Sequence, residues 1–182
     1  QSGATVNIGS GNLYVGGDYI KIANGGGTLI TTTGTVIYNG SAAQTVADLP
    51  YYNLTINKTG GAAQYVTTDD KAILGSLTVA NGTLVLQSAS EAPGTLTVNG
   101  NITIGDAGAS TSGTLNATNS NINLKGNWSR IAGNFTPGTG KVSFEGTSQQ
   151  TITASQFNNI TFRNTSAAGV TLTGNLTVNG NA

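Results

Sequence analysis

Along most of the chain apolar residues alternate with small polar ones. Leu77-Thr78-Val79, Leu96-Thr97-Val98, Ile102-Thr103-Ile104 and Leu176-Thr177-Val178 show the pattern, and Leu84-Val85-Leu86 belongs to the same kind of run. Successive side chains of an extended strand point to opposite faces, so period two puts one face inside and the other in water. Helix formers are scarce and no stretch sustains a 3.6-residue stripe. Gly, Asn and Ser punctuate the runs as turn formers. The pattern predicts an all-β protein of short strands.

The runs repeat. Gly34-Thr35-Val36-Ile37-Tyr38-Asn39-Gly40 through Gln44-Thr45-Val46 returns as Gly140-Lys141-Val142-Ser143-Phe144-Glu145-Gly146 through Gln150-Thr151-Ile152. The match holds its register into Tyr51-Tyr52-Asn53-Leu54-Thr55-Ile56 against Phe157-Asn158-Asn159-Ile160-Thr161-Phe162. Upstream, Leu13-Tyr14-Val15 aligns with Ile122-Asn123-Leu124, and downstream Gly75-Ser76-Leu77-Thr78-Val79 aligns with Gly174-Asn175-Leu176-Thr177-Val178. Fixed-period self-similarity marks repeat architectures. A finer spacing of about 19 residues separates Gly75, Gly94 and Gly113, and it reads as the pitch of one rung.

Short strands at this spacing suit a β-solenoid, a parallel β-helix-like stack of rungs with tight corners and small polar residues that ladder from rung to rung. The alternative is a β-sandwich completed by a donated strand. No charged or Pro-rich linker divides the copies. The expectation is one elongated domain over 1–182, with copy one at about 11–86, intervening rungs at 87–112 and copy two at about 113–182.

Composition narrows function. Gly (27), Thr (29), Asn (21) and Ser (14) fill half of the 182 residues, a mixture that without the apolar alternation would read as disordered linker. Seven basic residues balance seven acidic ones, so no cationic surplus exists to neutralise phosphates and nucleic acid is not an expected partner. No apolar run reaches the ~18 residues of a membrane-spanning helix, so membrane insertion is not expected. Cys, Met and His are all absent, which removes thiol and His-based catalysis, disulfides and zinc sites built on Cys or His. No cofactor is expected. A chain that opens on Gln1 rather than Met is expected to be a processed or excerpted product, and the low-charge, cysteine-free composition fits an extracellular or cell-surface location.

The segments Gly138 through Gly146, Gln150-Thr151-Ile152, Phe157 through Phe162, Gly169-Val170-Thr171-Leu172 and Asn175 through Gly180 resemble a known unit. They are similar to the filamentous-haemagglutinin-like, adhesin-type β-solenoid repeats of very large bacterial surface proteins. The resemblance covers about 11–86 and 113–182. It implies a solenoid fold and a surface role, with no catalytic residues to carry over, and here the unit occurs twice rather than in a long array.

The ends of a solenoid are rows of unpaired backbone groups that natural repeat proteins cover with polar caps. Here Leu176 and Val178 close the sequence without a cap pattern, and Val6, Ile8, Leu13 and Val15 alternate at the start with no charge before Asp18. Gly11 through Gly17 even resembles Gly174 through Gly180. These six apolar residues are the expected self-assembly interface, joining copies head to tail into a homopolymer by strand addition. A fragment cut from a longer array would leave the same raw ends.

Other candidate chemistry is sparse. Asp69-Asp70 could share Ca²⁺ with neighbouring carbonyls, yet two anions make a poor site and a solvated turn with Lys71 explains them as well. A glycosidase needs two carboxylates across one bond. Asp18, Asp48, Glu91, Asp106 and Glu145 are scattered. Eleven Asn-x-Ser/Thr triplets occur, among which Asn57, Asn116 and Asn164 sit in turn-like sequence and are the expected glycan acceptors. The aromatics Tyr38/Phe144, Tyr51/Phe157 and Tyr19/Trp128 recur between copies, which marks core positions rather than a ligand platform, although Tyr51-Tyr52 could stack on sugars. Thr runs at Thr31–Thr33, Thr95–Thr97 and Thr171–Thr173 would suit an ice-binding face only if they formed an uninterrupted outward file. The expected function is a structural subunit of an extracellular filament. The alternatives are a glycan- or ice-binding surface module or, behind it, a polysaccharide-active enzyme.

Overall fold

In the computed structural model, which describes residues 5–17, 28–47, 49–66, 71–87, 93–108 and 112–182, the chain is all-β and winds as a parallel β-solenoid, not a sandwich or barrel. Among the described residues every strand pairing is parallel. Each turn lays a strand on three sides in succession. Side one holds Thr5–Asn7, Thr28–Ile30, the bridge at Tyr51, Lys71–Ile73, Thr95–Val98, Asn121–Leu124, Lys141–Phe144 and Asn159–Phe162. Side two holds Asn12–Val15, Thr35–Tyr38, residues 53–56, residues 77–79, Ile102–Ile104, Trp128–Arg130, Gln150–Ile152 and Val170–Leu172. Side three holds Gln44–Val46, residues 62–66, residues 83–87, Gly113–Asn116, Asn134–Thr136, Ser155–Phe157 and Leu176–Val178. The strands Asn53–Val66 and Leu77–Gln87 bend around the corner from side two to side three without a break.

The alternation read from sequence becomes inward and outward files. On side two an inward file runs from Leu13 through Val36, Leu54, Leu77, Ile102 and Trp128 to Ile152 and Leu172. Its members from Val36 to Ile152 are fully buried. The outward file beside it carries Tyr14, Ile37, Thr55, Thr78, Thr103 and Ser129. Towards the second half of the chain the core turns aromatic, where Trp128 meets Phe135 at 4.7 Å and Phe157 at 5.1 Å between ring centroids.

The turn length differs from the expected 19 residues. Thr35 pairs with Asn53, 18 residues on, whereas Ile102 pairs with Trp128, 26 residues on. Gly75 and Gly94 stand before strands of side two and side one and Gly113 opens a strand of side three, so the 19-residue spacing advances two sides rather than one turn. The long repeat behaves the same way. Thr35–Tyr38 lies on side two and its counterpart Lys141–Phe144 on side one, four full turns and two sides later. What recurs in sequence is therefore a side with its following corner, placed on whichever face the winding reaches. One alignment fails this test. Leu77 pairs with Leu54 on side two, but Leu176 pairs with Ser155 on side three, so those two Leu-Thr-Val segments are alike in sequence and not equivalent in place.

Neighbouring residues of one strand should respond oppositely to truncation. Leu77→Ala is expected to lower unfolding free energy by about 3 kcal/mol, as buried Leu truncations do. Thr78→Ala, on the outward file, should change it by under about 1 kcal/mol. Urea denaturation of the two variants checks the assigned faces.

Candidate functional site: corners, faces and the open end

The repeated corner is built around a buried glutamine. Gln44 accepts a hydrogen bond from Gly40 N at 3.0 Å and donates through Nε2 to Val15 O at 2.9 Å and to Gly17 O of the preceding turn. Gln150 does the same, accepting from Gly146 N at 2.8 Å and donating to Leu124 O at 3.1 Å and Gly126 O at 2.6 Å. Gly is required ahead of each clasp, since a Cβ on Gly40 would stand 2.3 Å from Gly16 O and one on Gly146 2.6 Å from Lys125 O. A third residue caps the clasp from the next turn. In copy one it is the fully buried Lys58, whose ammonium donates to Ala42 O at 2.7 Å, Gly40 O at 3.1 Å and Gln44 Oε1 at 2.6 Å. In copy two it is Asn164, whose Nδ2 donates to Ser148 O at 2.8 Å and Gln150 Oε1 at 2.9 Å. Lys58 and Asn164 occupy matching places in the two copies, and sequence reasoning missed both roles.

A second polar device runs along the edge between sides one and two. Asn53 Nδ2 donates to Thr33 O at 3.1 Å, and Asn53 Oδ1 accepts from Ser76 N at 2.9 Å. Ser76 Oγ accepts from Asn101 N, Asn101 Oδ1 from Asn127 N, and Asn127 Oδ1 from Thr151 N, at 3.1, 2.8 and 2.8 Å. These Asn residues carry the sequence triplets of glycan acceptors but serve here as rungs of a hydrogen-bond ladder.

The three expected acceptors fall in different settings. Asn57 is exposed at the bulged corner of Asn53–Val66. Asn116 is half-buried, with Oδ1 accepting from Thr118 N at 3.0 Å. Asn164 spends on the corner clasp the same nitrogen that a glycan would occupy. Asp69 and Asp70 lie outside the described residues, as do Asp18, Tyr19, Asp48 and Glu91. Among the described residues no group of three acidic, His or Cys side chains could hold a metal. Asp106 binds Gly108 N at a side-two corner, and Glu145, on a side-one corner, lies 3.9 Å from Arg163, so the structure does not bring these two carboxylates together. Tyr38 and Tyr51 are fully buried and share a 3.0 Å hydroxyl contact, which takes Tyr51 out of reach of a sugar. The Thr runs make no long outward file: Thr97 stacks between Ala72 and Asn123, and the deepest file, Thr55-Thr78-Thr103, is three layers.

The expected assembly residues divide. Val6 is exposed in the first layer, and Ile8 and Leu13 are half-buried beside it. Val15 is only 7% exposed; it stacks on Tyr38 inside the solenoid and is core rather than interface. Leu176 and Val178 are half-buried above Ser155 and Phe157. The apolar surface at that end includes residues the sequence reading passed over. Phe162 and Leu172 are each 48% exposed, and with Val170 and Leu176 they line an apolar cavity of about 240 Å³. Phe162 tops the inward file of Val98, Leu124 and Phe144, and Leu172 tops the file of Trp128 and Ile152. The available signal was the match of Asn159-Ile160-Thr161-Phe162 to Asn53-Leu54-Thr55-Ile56, because Ile56 is buried beneath Val79 and Phe162 has no described strand above it.

No family model, curated protein or solved structure matches the chain, so its own geometry carries the functional argument.

Removing a clasp should cost far more than removing its neighbour. Gln150→Ala strips partners from Gly146 N, Leu124 O, Gly126 O and Asn164 at a buried corner, and a loss of about 2 kcal/mol or more is expected. Gln149→Ala removes one exposed contact to Thr171 and should stay within about 0.5 kcal/mol. Chemical denaturation of the pair decides whether the clasp is a structural requirement.

Proposed function

We propose that this chain is a structural rod of an extracellular fibre or surface appendage, lengthened end-on by a second copy whose first layer covers the apolar last layer. The observation that carries the reading is the pair Phe162 and Leu172, exposed at the top of inward files that elsewhere in the rod are buried, with the half-buried Val170 and Leu176 lining the same apolar cavity. A parallel strand at the end of a stack offers free backbone donors and acceptors, and a strand laid on it in register satisfies both these and the apolar file beneath. Contacts of this kind are heterologous and do not close, so they generate filaments. The zero net charge leaves little repulsion between stacked copies. The resemblance to filamentous-haemagglutinin-like surface repeats agrees with this reading and belongs to the proposal, as does the extracellular location.

A second reading, a glycan-binding adhesin, rests on one feature. A polar groove of about 290 Å³ runs beside Asn121, Thr139, Lys141, Asn159, Thr161 and Asn181. Two of its Asn side chains are already engaged: Asn121 Oδ1 accepts from Lys141 N, and Asn159 holds Thr139 O and Asn181 N. That leaves chiefly Lys141, the Asn181 amide and two Thr hydroxyls to face a sugar, and the rod reading is preferred.

The purified chain is expected to form rods whose length grows with concentration, seen by negative-stain electron microscopy and analytical ultracentrifugation. Leu172→Asp, which sets a charge on the exposed end without replacing a fully buried residue, should leave the circular dichroism spectrum unchanged and the protein monomeric. Single particles of the unaltered chain at high concentration would overturn the proposal.

A further inference from the structure

We propose that Asn81-Gly82 is a site of spontaneous backbone modification, converting to aspartate and isoaspartate in the folded rod while the other described Asn-Gly pairs are protected. Four such pairs lie among the described residues: Asn39-Gly40, Asn81-Gly82, Asn99-Gly100 and Asn179-Gly180. The chemistry is the same for all. The glycine nitrogen gives up its proton to solvent hydroxide and attacks Cγ of the preceding asparagine. The Cγ–Nδ2 bond breaks, ammonia leaves with a proton from water, and a five-membered succinimide remains. Water then opens the ring at one carbonyl or the other, so the net change consumes one water and releases one ammonia.

What differs between the pairs is the occupation of the attacking nitrogen. Gly40 N donates to Gln44 Oε1 at 3.0 Å inside the corner clasp. Gly100 N donates to Gly75 O at 2.7 Å, and Gly180 N to Asn158 O at 2.7 Å, each across adjacent turns. Attack at any of these must first break a bond that holds two parts of the solenoid together. Gly82 N instead donates to Asn81 Oδ1 at 2.8 Å, which holds the nucleophile against its own target carboxamide. Pairing of reacting groups at contact distance is the condition for a near-attack arrangement.

The local fold explains the exception. Against the preceding turn the register jumps from Asn57↔Asn81 to Ala62↔Thr83, so Gly82 faces the bulge without a partner there. Gly82 sits at a φ of 76°, and a Cβ would lie 2.8 Å from the Lys58 Cβ, so the position is reserved for glycine, the residue least obstructive to ring closure. On the following turn it pairs with Gly113, which again carries no side chain. Conversion would place a carboxylate on the edge between sides two and three of a chain with no net charge, and the isoaspartate form would add a backbone methylene where the register is already interrupted.

Accessibility alone ranks the pairs differently, because Asn39 and Asn179 are exposed and Asn81 is half-buried. This makes the proposal testable on the folded, full chain. Aliquots held at mildly alkaline pH are digested, and peptide mapping by mass spectrometry follows amide-to-acid conversion at each pair, beside a urea-unfolded sample. Asn81 is expected to convert in the folded chain at least as fast as in the unfolded one, and faster as pH rises. Asn39, Asn99 and Asn179 should be slowed at least about tenfold by folding, since each needs a local opening first. Gln44→Ala, which frees Gly40 N, should raise conversion at Asn39, provided that circular dichroism shows the variant folded. Conversion at Asn39 or Asn179 ahead of Asn81 in the unaltered folded chain, or protection of Asn81 on folding, would overturn the proposal.

Discussion

A parallel strand points its backbone N–H and C=O groups along the stack, where only the strands of the neighbouring turns can meet them. On side two the requirement is met eight strands deep, and the pleat then decides which side chains enter the core. Because only the strands must stay in register, the corners absorb differences in turn length. Residues 58–61 of one corner lie opposite the single residue Gly82 of the next, yet the pairing resumes at Ala62↔Thr83 with both inward files intact. The strands are thus constrained and the corners are free to vary, within the need to satisfy the polar groups that a corner buries.

Small amides and hydroxyls meet that need. An Asn or Ser at a corner reaches the backbone of an adjacent turn, as Asn53, Ser76, Asn101 and Asn127 do in succession. A charged residue there would bring a desolvation cost that an amide avoids. Lys58 is the exception that fits the rule: its ammonium, buried among Gly40 O, Ala42 O and Gln44 Oε1, lies where copy two uses the neutral amide of Asn164. The Asn, Ser and Gly content that would otherwise suggest disorder is the material of these corners.

The fold was legible because the inside/outside alternation is local: Leu77-Thr78-Val79 needs no knowledge of its neighbours to declare its faces. The winding was less legible. A match between Thr35–Tyr38 and Lys141–Phe144 shows that two sides are alike, but which face each occupies depends on every intervening corner length. The same blindness explains why Phe162 did not read as an end residue. Burial at the far end is decided by whether a strand lies above, and Val79 covers Ile56 while no described strand covers its sequence counterpart Phe162. Lys58 and Asn164 were hidden for another reason, since a residue's approach to a glutamine of the preceding turn leaves no periodic trace in sequence.

The equivalence of the sides bears on how such a rod can lengthen. The glutamine clasp closes the corner from side two to side three in copy one and from side one to side two in copy two, with the same partners each time. A layer of this solenoid is therefore not tied to one orientation about the axis; it needs parallel strand direction, an inward apolar file beneath it and a corner wide enough to turn. Parallel pairing gives the stack a polarity, so in the proposed end-on contact a top surface of Phe162, Leu172 and Leu176 would meet the underside of a first layer and not another top. Selection of a partner there would rest on backbone direction and the two-residue pleat rather than on charge, of which this chain carries little.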